Sequence, residues 1–213
     1  MTELADNLAG KFLVIDGPDG AGKTTQREML ARWLGAEGVR LREAQDPGGT
    51  TVGEEIRRVL LDGRHSGMCV ATELMLYMAS RAQLAEEVIR PALARGECVL
   101  CDRWVSATIA YQGAGGADAE QIETVAVVAV GELIQPDLTL LLDLPVETGL
   151  QRKSKDAAFD RMEAKDIEFH RRVRELFLHQ ARRQPERFAV IDASANAENV
   201  REHIRHVIIK SYG

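Results

Sequence analysis

GPDGAGKTT, residues 17–25, meets the pattern G-x-x-x-x-G-K-[ST] through Gly17, Gly22, Lys23 and Thr24. Glycines there let successive backbone N–H groups converge on phosphate oxygens. A helix starting at that point adds the positive end of its dipole. Lys23 supplies a point charge to the β- and γ-phosphates, and the Thr24 hydroxyl can join a Mg2+ shell. Gly17, Pro18, Gly20, Ala21, Gly22, Lys23, Thr24 and Thr25 together read as a cradle for ATP with magnesium. A bare glycine turn is the alternative, and the strand before and helix after argue against it. Asp19 stands inside the cradle. At an effective dielectric of ~20, two like charges ~4 Å apart repel by ~4 kcal/mol, so this acid needs a purpose other than facing ATP.

Four further clusters carry chemistry: DPGGT (46–50), LMLYMASRAQL (74–84), CDRWVSATIAYQG ending at Gly113, and FDRME (159–163). Asp102 closes an apolar strand, and the carboxyl edge of a parallel sheet is where ligands sit. A carboxylate there can hold magnesium directly or through water; a helix N-cap is its other reading. Tyr77 and Arg81 are four apart and share a helix face, as a ligand-facing pair or as a half-buried ring under a surface arginine. Arg57 taken alone is a solvated helix charge. The N-K-x-D pattern of guanine-specific GTPases is absent from the sequence.

Strands must deliver these residues to one edge. KFLVIDG (11–17), VRLREAQ (39–45), ECVLCD (97–102), DLTLLLDL (137–144) and RFAVIDA (187–193) read as five strands. Near-continuous apolar strands imply a parallel sheet covered on both faces. Helical patterns span 23–38, 50–63, 71–96 with a bend near Pro91, and 118–134, and helices fill the remainder. The alternation predicts a three-layer α/β fold with a five-stranded parallel sheet flanked by helices. QRKSKDAAFDRME (151–163) is the most charged and least patterned stretch, which suits a lid.

The chain has 213 residues and a net charge of −6, a size for one domain over 1–213. The acidic balance disfavours a nucleic-acid partner. The start MTELADNLAGKF shows no basic region followed by an apolar run, so no signal peptide is expected. No apolar run reaches ~18 residues, so neither a membrane span is expected nor any site but the cytoplasm. Cys98 and Cys101 form a C-x-x-C that could mean zinc or redox chemistry. Residues three apart on a strand face opposite sides, so two core thiols are the stronger reading.

In order and spacing, from about Lys11 to Ala193, these clusters resemble the thymidylate kinases, P-loop nucleoside-monophosphate kinases that convert dTMP to dTDP. The resemblance implies the P-loop kinase version of the fold with a lid, ATP and dTMP as substrates, Mg2+ as cofactor, and a homodimer. Arg57 and Arg103 would hold the acceptor phosphate, where a guanidinium fork suits phosphate better than an ammonium. Tyr77, in place of the more frequent phenylalanine, would stack on thymine, and Arg81 would reach a base oxygen. Thr108 and Gln112 would face the base, and Pro47 would shape the pocket wall. Tyr111 would crowd the sugar against a 2′-hydroxyl, and Asp19 would accept from its 3′-hydroxyl. Gly113, Gly115 and Gly116 allow a tight turn after these residues, or a plain loop.

Two departures stand out. Gln45-Asp46 replaces the usual Arg-Glu before Pro-Gly-Gly-Thr. Gly20 follows Asp19, which is the bacterial pattern and sends the catalytic arginine to the lid, yet Ser154 and Asp156 fall where lid arginines are usual. Arg152 or Lys155, and less so Lys153, are expected to act on the moving phosphoryl, with Lys23, Asp102 and Arg103. Arg161 is expected to support the lid or stack near the adenine. The alternatives are a kinase for another monophosphate or a deoxynucleoside, or a regulatory nucleotide-binding module without an acceptor.

Overall fold

The computed structural model describes residues 2–131, 134–153 and 160–213. Its sheet has five parallel strands: β1 (Phe12–Asp16), β2 (Leu41–Gln45), β3 (Cys98–Asp102), β4 (Leu138–Asp143) and β5 (Phe188–Asp192). The order is β2-β3-β1-β4-β5. The central β1 pairs with β3 on one side (Leu13 opposite Leu100) and β4 on the other (Ile15 opposite Leu140). The chain leaves β1 for β2 and β3 on one side and returns to β4 on the other. That reversal opens a crevice at the carboxyl end of β1, where open α/β sheets bind ligands.

Period-2 alternation splits β1 between two cores. Leu13 and Ile15 join Leu30, Leu34, Leu140 and Ile204 on one face. Phe12 and Val14 join Leu84, Ile89, Val99 and Trp104 on the other. Phe12 meets Trp104 edge to face, with ring centroids 5.2 Å apart. Each fully buried side chain of this size contributes ~1.5–3 kcal/mol. Cys98 belongs to the first core and Cys101 to the second, and both are free and buried. Burial pushes the Cys98 thiol up to about 12, so the C-x-x-C is core. Near-continuous apolar character holds for β1, β3 and β4 but not at the edges, where β2 exposes Arg42 and Glu43.

The helices are α1 (Glu3–Asn7), α2 (Lys23–Ala36), α3 (Thr51–Leu61), α4 (Val70–Leu84), α5 (Arg90–Ala94), α6 (Val105–Ala114), α7 (Ala119–Val130), α8 (Val146–Lys153), α9 (Ile167–Arg183) and α10 (Ala197–Tyr212). The helix read over 71–96 is α4 and α5 joined by a wider π turn at Ala85–Ile89. Pro91 has no N–H to continue the ladder, so the irregular turn falls just before it. The helix read over 118–134 stops at Val130, where Gly131 takes φ 75°. Side chains of Thr50, Asp118, Asp166 and Asn196 cap α3, α7, α9 and α10. The N-cap of α2 is Gly22, with φ 87° and no side-chain acceptor. The first N–H groups of α2 are thus unclaimed by a cap, as an anion site requires.

Candidate active site

β1 feeds the glycine loop directly into α2. A Cβ at Gly17 would lie 2.3 Å from the Leu142 carbonyl, so that position must be glycine. Gly20, at φ 76°, is tighter still: a Cβ there would lie 2.1 Å from the Gly149 carbonyl of α8. No arginine can follow Asp19 at position 20 while α8 packs against the loop. Lys23 folds back onto its own loop, donating to the carbonyls of Gly17 (3.0 Å) and Pro18 (2.8 Å). Burial, then the neighbouring Arg103 guanidinium, push its ammonium down to about 8.

The acid in the loop has partners. Arg103 follows Asp102 in a left-handed backbone conformation, φ 68°, at a cost of roughly 1–2 kcal/mol. That turn sends its guanidinium back across β1. Nη2 donates to Asp19 Oδ1 at 2.7 Å and to the Tyr111 hydroxyl at 3.1 Å. Nη1 donates to the Gly17 carbonyl at 3.1 Å and to Asp16 Oδ1 at 3.3 Å. The Tyr111 hydroxyl donates to Asp19 Oδ2 at 2.7 Å. Burial alone would raise the Asp19 carboxyl; Arg103, Lys23 and Tyr111 outweigh it and hold it below its ordinary value. Asp16 beneath is fully buried, and desolvation wins there: its carboxyl is raised despite Arg103 and the Ser106 hydroxyl, 2.7 Å away.

Opposite the loop, α4 and α6 supply a second wall. Arg81 is 1% exposed, not a surface charge. Its Nε donates to Asp46 Oδ2 at 2.7 Å, and Nη2 donates to Thr108 Oγ1 at 2.9 Å and the Trp104 carbonyl at 3.2 Å. Among the described residues its Nη1 reaches only Met78 Sδ, at 3.1 Å. Asp46 thus keeps the acid's place from a shorter arm. Arg57 donates to the Pro47 carbonyl at 2.8 Å, tying α3 to the DPGGT loop. Tyr77 is half-buried at the cavity wall.

At the third side lie the described residues that flank 154–159. The Arg152 guanidinium donates to the carbonyls of Ala193 (3.0 Å) and Ser194 (3.2 Å). Lys153 pairs with Glu163 at 2.7 Å, joining the two flanks. Arg161 is buried, paired with Glu73 and donating to the Leu60 carbonyl. Lys155, Ser154 and Asp156 lie outside the described residues.

The three sides enclose one cavity of about 620 Å³, well within the range of small-molecule sites. Every expected site residue that the structure describes lines it, except Gly17 and Pro18. Thr24 and Asp102 stand at its loop end. The Asp102 carboxylate makes no hydrogen bond among the described residues, and Arg27 Nη1 lies 3.8 Å away. One hydroxyl and one open carboxylate suit Mg2+, which keeps waters and takes phosphate oxygens rather than an all-protein cage. Asp16, Ser106, Glu73 and Gln26 are not legible as site residues in the sequence. Glu73 has a faint signal, since it precedes Tyr77 by one helical turn. Gln26 Nε2 donates to the Ala197 carbonyl at 2.9 Å, linking α2 to the wall formed by Ala193, Ala195, Ala197 and Val200.

Comparison with known proteins shows what the chain is similar to. A family model described as thymidylate kinase matches residues 15–204. The thymidylate kinase of Alcanivorax borkumensis is 44% identical over 202 residues, 94% of this chain and 97% of the relative. That of Pseudomonas syringae pv. tomato is 46% identical over 194 residues, 91% of this chain and 92% of the relative. The crystal structure of the thymidylate kinase from Ehrlichia chaffeensis superposes with a TM-score of 0.77 at 30% identity, covering 93% of this chain and 98% of that one.

Proposed function

The chain belongs to the thymidylate kinase family, and on that premise we infer that it transfers the γ-phosphoryl group of ATP to dTMP, yielding ADP and dTDP for dTTP synthesis. The observation that carries this reading is the single cavity, with the phosphate loop on one wall and Tyr77, Arg81, Thr108 and Gln112 on another. Between them stand Arg57 and Arg103.

Phosphoryl transfer is positioning and charge neutralisation. The donor phosphates take the open N–H groups of α2 and draw Lys23 off the Gly17 and Pro18 carbonyls. Mg2+ held by Thr24 and Asp102 would neutralise charge on those phosphates. Arg57 and Arg103 hold the acceptor phosphate in line. An ionised phosphate oxygen attacks, so neither a protein nucleophile nor a strong base is required. Asp19 accepts from the sugar 3′-hydroxyl, and its charge, matched by Arg103, fixes the acceptor beside the donor cradle. Tyr77 stacks on the base, and Tyr111 excludes a 2′-hydroxyl. Arg152 or Lys155 supplies the lid's positive charge on the moving group, and lid closure excludes water.

One kinase domain over 1–213 acting in the cytoplasm fits the family, and among the described residues no helix is long and apolar enough to cross a membrane. The net charge of −6 disfavours a nucleic-acid partner. A homodimer is supported by the exposed apolar side chains, five of which (Val52, Val59, Met75, Val127, Val128) lie on α3, α4 and α7. Sedimentation should give twice the 23.5 kDa chain mass; a monomer at micromolar concentration would contradict it. The substrate assignment is tested by ADP release against a panel of acceptors. dTMP should exceed dUMP, dCMP, AMP and thymidine in kcat/KM, and a different leading acceptor would refute it.

A further inference from the structure

Behind the wall assigned above to the acceptor base lies a buried carboxylate that no step so far uses. Glu73 sits one turn before Tyr77 on α4 and is 4% exposed. Its Oε1 pairs with the Arg161 guanidinium. Its Oε2 accepts from Gln112 Nε2 at 3.1 Å. Arg161 is fixed in turn: its Nε donates to the Leu60 carbonyl at 2.8 Å, and its backbone N–H donates to the Leu61 carbonyl at 3.2 Å. The carboxylate cannot move away without leaving a buried guanidinium unpaired, which is strongly unfavourable.

A carboxylate paired with a guanidinium only accepts, whereas a primary amide has a donor end and an acceptor end of nearly one shape. Glu73 therefore decides which way Gln112 is turned. With the –NH2 end toward Oε2 the contact is a hydrogen bond; turned over, two acceptor oxygens would face each other in a buried site. The amide oxygen is then the end left for a ligand. Gln112 lines the cavity, and its side-chain amide makes no other hydrogen bond among the described residues. Arg81 complements it across the wall. Its Nε and Nη2 are held by Asp46, Thr108 and the Trp104 carbonyl, and Nη1 reaches no oxygen among the described residues. The wall thus offers one fixed acceptor and one fixed donor.

We propose that Glu73, braced by Arg161, is a positioning residue for base selection. It holds the Gln112 amide so that an acceptor oxygen meets the base. That arrangement accepts a pyrimidine with an N3–H beside a 4-keto oxygen. It rejects cytosine, whose bare N3 would face the amide oxygen and whose 4-amino group would face Arg81. The proposal rests on the assignment of this wall to the acceptor base.

The test is Glu73→Gln, with kcat/KM measured for dTMP, dUMP and dCMP. In the variant the new amide keeps its oxygen on Arg161 and turns its –NH2 toward Gln112, which must turn over. The dTMP-to-dCMP ratio should fall about tenfold or more. The dTMP-to-dUMP ratio should stay within about threefold, because both bases carry N3–H. If Glu73→Gln does not fold, Glu73→Gln/Arg161→Met removes both charges, and the dTMP-to-dCMP ratio should still fall. A folded variant whose dTMP-to-dCMP ratio moves less than twofold overturns the role of Glu73. So does an equal shift in the dTMP-to-dUMP ratio, which would mean a loosened pocket. A wild-type protein that forms no dTDP sinks the kinase reading and this role with it; an active wild type with an unchanged variant sinks only the role.

Discussion

Asp19→Asn removes one charge from the centre of the site with almost no change in shape. The carboxylate is held by two contacts of 2.7 Å, from Arg103 Nη2 and from the Tyr111 hydroxyl. Its side chain is 11% exposed and that of Arg103 is 19% exposed, so solvent replaces little of what is lost. A hydrogen bond to a charged group contributes ~1.5–3 kcal/mol. Losing the charge-assisted bond to the sugar hydroxyl, with Arg103 slackened beside it, should lower kcat/KM for dTMP by about 10- to 150-fold, at ~1.4 kcal/mol per decade. ATP should be spared. Its phosphates face Lys23 and the start of α2, and removal of a nearby negative charge favours an anion. Affinity for a non-hydrolysable ATP analogue, measured by calorimetry, should hold within about threefold or tighten. If ATP affinity falls as far as dTMP use, Asp19 serves the donor and the division of the loop between two substrates is wrong.

Lys23 titrates near 8 in the free protein, and phosphate binding stabilises its ammonium form and raises that value. ATP binding at pH 8–9 should therefore take up protons, and kcat/KM for ATP should fall as pH rises through about 8; calorimetry in buffers of different ionisation enthalpy reads the uptake, and none would refute the link. Among the lid cations, Arg152→Ala or Lys155→Ala should lower kcat by about tenfold or more (~1.4 kcal/mol), and the assignment fails if neither does. Gly20→Ala places a Cβ 2.1 Å from the Gly149 carbonyl at φ 76°. Thermal unfolding should show a loss of ~1–3 kcal/mol or more, and an unchanged melting temperature would mean that α8 does not pack on the loop.

Local pattern carried much of this structure. The glycine loop, the apolar strands and the break near Pro91 depend on nearby residues, and they stand within a few positions of where the pattern puts them; the helical pattern over 118–134 runs past Gly131, whose φ of 75° ends α7 at Val130. Edge strand β2 carries a weaker signal, because adjacent Arg42 and Glu43 face opposite sides of the sheet and both are exposed, leaving Ala44 as its buried residue. The site residues were legible as types at spacings, but their partners were not. Asp16 meets Arg103 only because residue 103 takes a left-handed turn, and Glu73 meets Arg161 across 88 positions of sequence. The exclusion of a side chain at residue 20 by Gly149 is likewise a contact between distant backbones. The sequence shows that an arginine is missing from the loop, and the packing of α8 explains why it must be.

The central claim is direct transfer between two substrates in one cavity. The measurement is a single turnover with γ-labelled ATP and dTMP. The label should appear in the β-phosphate of dTDP, one equivalent per ADP formed. Label released as inorganic phosphate at the same rate with or without dTMP would contradict the account.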